Sequence, residues 1–329
     1  AAGRALDVPA HVLMGRQHRP SIPFAYWTID LPADVFAEQV RYASDLGYTT
    51  YKFKSRPWWD VVEQARRAAE VAPEGFKIWM DFNGHLRDAH QAVPILRKLQ
   101  EFDCIGGFES PIPQRDVTGY RRIRSTIDLP IALHYGSGCC HVVTDTSYDQ
   151  GMTADVQILE NLSDGFVLGT HMDTLNIDRV CYEHRKVFWI QSIGTSLRTA
   201  YVAHMASVCR QAVLSSMSGH ALWERDIVAE PIAPVGGYLD VPAGPGLGID
   251  PDESLLEELS APESDPIRRI STVVYPSGVR PSFIDEQDRH EAFYFGELRG
   301  FEPGIHLEVE EDDGSTEFDR RFTDCLGSV

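Results

Sequence analysis

The 329-residue chain is 43% hydrophobic and 24% charged, the composition of an ordinary globular protein with ample material for a packed core. Its net charge of −19 argues against a nucleic-acid or anionic-membrane partner, although it leaves room for a local positive pocket that takes a small acid. No apolar run approaches the roughly 20 residues of a membrane span and no signal peptide is visible, so a cytoplasmic protein is expected. Six cysteines show no CxxC pair and read as free thiols in a reducing compartment. Adjacent Cys139 and Cys140 with His141 offer the alternative of a redox or metal site.

In chain order, FAYWTI (24–29) precedes a helical stretch with Phe36, Val40 and Ala43 on one face. TTYKFK (49–54) precedes a second helix with Val62, Ala65 and Ala69 on its inner face. FKIWMDF (76–82) leads into AVPILRKLQEF, where Pro94 suits a first helical turn. GGFES (106–110), PIALHY (130–135), GFVLGT (165–170), VFWIQSI (187–193) and AVLSSM (212–217) continue the series, and Val202, Met205 and Cys209 mark a further helix face. Strand-like runs separated by helices imply βα units and a parallel sheet, and eight of them suit a closed barrel. An open doubly wound sheet is disfavoured because no glycine fingerprint follows an early strand.

The chain has only five lysines, and two stand on alternate positions in Tyr51-Lys52-Phe53-Lys54. Residues two apart on a strand share a face, and buried ammonium groups are costly unless an anion meets them. Lys52 and Lys54, Asp81, Glu109 and His134 all fall at the C-terminal ends of consecutive strands, the rim where barrel enzymes collect catalytic groups. Asp81 and Glu109 are hard oxygen donors suited to Mg²⁺. A divalent ion beside two lysines can bind a substrate carboxylate and stabilise the enediolate left by α-proton removal. The plainer alternative is that the lysines only pair with the two acids in a buried ion cluster.

With these residues in place, the sequence resembles the enolase superfamily, within it the mandelate racemase/muconate lactonizing enzyme-like group, with a divergent site. YKFK matches the lysine-x-lysine motif of the second barrel strand. MDFNG matches the third-strand metal aspartate, Asp81, with Asn83 placed to contact substrate. FESPIP resembles the fourth-strand motif, giving Glu109 as a ligand with Ser110 where a second acid is usual. LWERD resembles the eighth-strand segment whose glutamate, here Glu224, approaches the substrate carboxylate, and DVPAGPGLGID is like the C-terminal glycine-rich signature. The resemblance implies a modified TIM-type (β/α)7β barrel holding one divalent metal ion, with Lys54 as general base and Lys52 lowering its pKa and contacting substrate.

The sequence departs from the pattern at the fifth strand, where His134 or Tyr135 replaces the third acidic ligand. Imidazole ligation by His134 would favour Mn²⁺, Fe²⁺ or Zn²⁺ over Mg²⁺; otherwise His134 only hydrogen-bonds and the metal is weak or absent. The seventh strand, WIQSIGTS, lacks the usual histidine, and the sixth carries His171 near the place of its aspartate partner. One-base chemistry is therefore expected: Lys54 abstracts the proton and His171 or Tyr135 helps expel a β-hydroxyl. The leading expectation is dehydration of a sugar acid. The alternatives are racemisation, epimerisation or cycloisomerisation of a carboxylate, or a degenerate barrel that binds a ligand or partner without turnover. His204 reads as a packing residue and His85 as a solvated loop residue.

Residues 1–20 resemble the end of the family's N-terminal α+β capping domain, most of which is absent from this chain and is expected to be disordered or in another chain. Residues 21–258 are assigned to the barrel and 259–329 to a C-terminal β-rich extension. There, RRISTVVYPSGVRPSF reads as a hairpin, and AFYFGEL and IHLEVEEDDG as further β segments. Glu310–Asp313 lacks the spacing of a calcium loop. A homo-oligomer acting on a small carboxylate is expected.

Overall fold

The structure, a computed structural model, describes residues 1–134, 163–168, 173–260 and 267–326. Tyr135, His171 and the Cys139–Cys140–His141 group lie outside them. Cys104, Cys181 and Cys209 are buried free thiols.

A short strand β1 (Ser21–Pro23) precedes seven parallel strands: β2 (Tyr26–Ile29), β3 (Thr50–Lys54), β4 (Lys77–Asp81), β5 (Ile105–Glu109), β6 (Ile131–His134), β7 (Gly165–Leu168) and β8 (Val187–Ile190). They pair in sequence order, as βα units with right-handed crossovers require. Residues Ser216 and Met217 complete the circuit. Ser216 bridges Phe24 beside β2, and Met217 bridges Gln191 after β8, both in parallel sense. AVLSSM thus supplies an eighth stave of two bridging residues.

Two apolar layers sandwich the strands. Outside lies the large core under the helices, with Phe36, Tyr51, Phe53, Phe108 and Phe188 fully buried. Inside the barrel, Ala25, Trp27, Ala132, Val167, Trp189 and Met217 cluster with Trp79 packed against them. Gly107 makes room for Trp79, since a Cβ there would lie 2.6 Å from the indole ring.

The helices depart from expectation in two places. Helix Val61–Ala69 buries Val61, Ala65 and Ala68, one residue out of phase with the expected face; Val62 is half-buried and Ala69 exposed. Its N-cap, Asp60, accepts from the amides of Val62 and Glu63 and so starts the helix at Val61. Pro94 lies inside helix Ala89–Leu99 rather than in its first turn, because Asp88 caps that helix and starts it three residues before the stretch AVPILRKLQEF.

Strand β9 (Tyr238–Asp240) pairs antiparallel with β1. Residues 267–326 form a separate antiparallel sheet of β10 (Arg269–Val274), β11 (Ser282–Phe283) and β12 (His306–Glu311), with β10 central. The hairpin reading of β10–β11 and the strand reading of IHLEVEEDDG both hold. AFYFGEL does not form a strand: Ala292, Phe293 and Tyr294 end helix Glu286–Tyr294, which Asp285 caps through the amides of Gln287 and Asp288. Asp312 and Asp313 accept amides from their own turn.

Candidate active site

Strand register builds the site. The parallel ladder sets Lys54 beside Asp81 and Asp81 beside Glu109, one row across the C-terminal ends of β3, β4 and β5. Lys52 lies two residues below Lys54 on the same face. All four are buried: both lysines are 2% exposed, and Asp81 and Glu109 are fully enclosed.

Lys52 Nζ lies 3.0 Å from Asp81 Oδ2, 2.7 Å from Glu109 Oε2 and 3.2 Å from Gln191 Oε1. Lys54 Nζ pairs with Asp81 Oδ2. Two ammonium groups therefore face two carboxylates and the buried row is neutral, the condition under which such burial is tolerated. The two lysines differ. Burial alone would lower both pKa values, but for Lys52 the attraction of Asp81 and Glu109 outweighs it and holds the proton more firmly than in water. For Lys54 burial wins over Asp81, Lys52 and Arg56 add repulsion, and the pKa falls below its ordinary value. Against burial, Lys52 and Lys54 hold Asp81 well below the usual carboxylate range. Of the two lysines, Lys54 therefore holds its proton less firmly.

His134 on β6 completes one side of the site, with Nδ1 3.3 Å from Glu109 Oε1. Neither atom has a hydrogen-bond partner among the described residues, although both are buried. Two carboxylates and an imidazole nitrogen make a donor set that fits a divalent cation. Among the described residues, however, no three acidic, histidine or cysteine side chains are gathered closely enough to share one ion. The edge common to Asp81 and Glu109 is occupied by the Lys52 ammonium.

Several expected residues take other places. Asn83, expected to contact substrate, is fully buried against Asp81 and Arg56. Its amide donates to Asp81 Oδ1 (2.9 Å), and its Oδ1 accepts from Arg56 Nη1 (3.0 Å). It holds φ at +48°, a left-handed geometry that asparagine tolerates. Glu224 is exposed in the loop after the 3-10 turn His220–Leu222, outside the buried row; its neighbour Asp226 turns inward and caps helix Ser196–Val208 through Ser196. His85 is buried, with Nδ1 donating to the Phe82 carbonyl, because the C-terminal segment covers it. His204 is a packing residue, its Nε2 donating to Leu247 O and its ring stacked on His11.

Gln191 and Arg56 were not anticipated. Gln191 holds the seventh-strand position searched only for histidine, and Arg56 follows the two lysines in the same short motif. The C-terminal segment reaches this site through that motif's loop. Trp58 and Trp59 both donate to Asp30 Oδ1 at 2.6 Å, and Arg289 stacks on Trp58 at 4.3 Å. Phe301 N donates to Pro57 O, Asp60 binds Gly304 N, and His290 meets His85 at 3.3 Å. Gly300 is required where the chains cross, since a Cβ would sit 2.5 Å from Pro57.

Comparison with known proteins agrees with this architecture. The enolase C-terminal domain-like family matches residues 35–255. An N-succinylamino acid racemase from Amycolatopsis sp is 30% identical over 219 residues, covering 66% of this chain and 56% of the relative. A D-gluconate dehydratase from Thermoproteus tenax is 24% identical over 286 residues, covering 80% and 54%. The chain thus spans about half the length of these curated relatives. The crystal structure of a dipeptide epimerase from Cytophaga hutchinsonii, complexed with Mg and the dipeptide D-Ala-L-Val, superposes with a TM-score of 0.64 at 21% identity, covering 78% of this chain and 68% of that one. An N-succinyl Arg/Lys racemase from Bacillus cereus gives 0.65 at 18% identity, covering 79% and 69%. The last two likenesses are of fold. With the family match extending over more than half its length, the chain belongs to the enolase superfamily, in its mandelate racemase-like group.

Proposed function

We propose that the protein abstracts the proton α to a carboxylate and that its reaction is the dehydration of a sugar acid. The carrying observation is the buried row Lys54–Asp81–Glu109, with its one depressed lysine on a single side of the barrel. Lys54 Nζ takes the α-proton. Lys52 stays charged and meets the substrate carboxylate and the negative charge that grows on it. Departure of the β-hydroxyl as water, assisted by an acid that we assign to His171 or Tyr135, leaves an enol that tautomerises to a 2-oxo acid.

Asp81, Glu109 and His134 would hold the divalent ion, Mg²⁺ or, with imidazole as a donor, Mn²⁺. When bound, such an ion supplies Lewis-acid stabilisation of enediolate charge. Asn83 and Arg56 support this from behind by fixing the Asp81 carboxylate. Elimination is preferred in this reading because the base is assigned to Lys54 and its acid partner to His171 or Tyr135; among the described residues β7 presents buried Val167 and Leu168, and β8 is followed by Gln191. A second reading, racemisation or epimerisation of an acylated amino acid or dipeptide, is favoured by the names of the relatives. We assign residues 21–258 to the barrel domain and 259–329 to a C-terminal extension.

The test is α-proton washout in D₂O, followed by proton NMR, on a panel of sugar acids, N-succinylamino acids and dipeptides with Mg²⁺ or Mn²⁺ present. Formation of a 2-oxo acid from a sugar acid supports the dehydratase. Exchange with inversion and no elimination would replace it with the racemase. Absence of exchange across the panel would shift the assignment to a binding protein.

A further inference from the structure

The two lysines are not equivalent toward a cation. Among the described residues, Lys54 pairs with Asp81 alone, whereas Lys52 reaches Asp81 and Glu109 together and also finds the Gln191 amide oxygen. The row is already neutral, with two ammonium groups against two carboxylates, all at most 2% exposed. A third carboxylate would help a dication enter; here that place on β6 is taken by His134, which brings no negative charge in its neutral form. A divalent ion added to this row leaves two surplus positive charges in a buried space, where uncompensated charge is strongly unfavourable. One cation must give way, and geometry selects Lys52, whose Nζ stands against both carboxylates.

We propose that Lys52 is a tethered competitor of the divalent ion: its ammonium is the resident counter-cation of Asp81 and Glu109, and the ion gains the pair only as Lys52 swings off it. Gln191 marks where Lys52 goes, a neutral oxygen on the far side of the barrel that already shares the ammonium. The displaced ammonium is then free for a new anion, the role that a substrate carboxylate fills. This inference rests on the reading of Asp81 and Glu109 as ion ligands. It deepens that reading by making the site's metal affinity a property of a lysine outside the ligand set.

The experiment measures Mn²⁺ binding by electron paramagnetic resonance and titration calorimetry on the full chain after chelator treatment. The proteins compared are wild type, Lys52→Met, Lys52→Arg and Lys54→Met, with circular dichroism confirming that each is folded. Removing one resident positive charge beside the site should tighten Mn²⁺ by at least about tenfold in Lys52→Met. Lys54→Met should tighten it less, and Lys52→Arg, which keeps the charge, should leave it as weak as wild type or weaker. Measurable wild-type binding that is unchanged or weakened in Lys52→Met would overturn the competition while leaving the ion site standing. Absence of binding at millimolar Mn²⁺ in every protein would overturn both. Lys52→Arg keeps the inference testable if Lys52→Met fails to fold, since Arg binding Mn²⁺ more tightly than wild type contradicts it.

Discussion

The two halves of the barrel mouth are built differently. Over β3–β5 the strand ends carry Lys52, Lys54, Asp81 and Glu109, braced from behind by Asn83 and Arg56 and roofed by the C-terminal segment through Trp58 and His85. Over β6–β8 the described strand ends carry no carboxylate, lysine or arginine: they are His134, Leu168, Ile190 and Gln191. Among the described residues, one half concentrates buried charge and is stiffened by many partners, and the other does not. With the base proposed at Lys54 on this side, the proposed reaction takes a proton from one face, which is the reading that favours elimination over two-base inversion.

The sharpest way to break this comparison is to strip the charged half. Lys54→Ala should lower α-proton washout by about 10²–10⁴-fold, the usual contribution of a positioned base, with circular dichroism unchanged. Retained exchange would move the base to the other half. Asp81→Ala takes from buried Lys54 the carboxylate it pairs with and leaves Lys52 with Glu109, and should cost about 3–5 kcal/mol in urea unfolding. Across the barrel, Ile190→Val removes one methylene from an apolar position and should cost about 0.5–1.5 kcal/mol. Similar losses at both sites would mean that the two halves are not energetically distinct.

How much of this was legible in the sequence follows the same division. The strands and the charged row could be read because alternation and strand-end position are local signals, and a parallel ladder in sequence order converts them directly into neighbours. Lys54, Asp81 and Glu109 needed only that register. Glu224 failed because its segment is irregular, and a motif fixes direction only where regular structure carries it; the inward carboxylate is Asp226, two residues on. His85 failed because its cover comes from residues some two hundred positions later, which no local pattern announces. Helix Glu286–Tyr294 was missed because its aromatics suggested a strand, while Asp285 as N-cap was the stronger signal. Gln191 escaped notice because a neutral amide was not sought where a histidine was expected.

The pH response sharpens the contrast further. Asp81 has its pKa pulled well below the usual value by the lysines, so its stabilising contribution is complete above the unfolded carboxylate value of about 3.9 and is lost as pH falls through the folded value. Acid should therefore weaken the wild type in a way that Asp81→Asn does not share, which stability curves between neutral and acid pH will show. Lys54 runs in the opposite sense for activity. Burial, with Lys52 and Arg56, lowers its pKa, so the rate of proton abstraction should climb with pH along a limb lying below that of a free lysine.

The most local effect concerns the roof. Arg289 lies over the face of Trp58, whose indole donates to Asp30, and Arg289 also donates to Ser271 at 2.6 Å. Arg289→Ala removes a buried cation–π contact worth about 0.5–2 kcal/mol and a hydrogen bond to its own sheet. Hydrogen exchange should report the loss as faster exchange at residues 55–60, the loop that follows Lys54, with β7 and β8 unaffected. The segment then acts on the charged half alone. If exchange instead rises evenly around the barrel, the segment stabilises the whole fold and the asymmetry of the mouth belongs to the barrel strands by themselves.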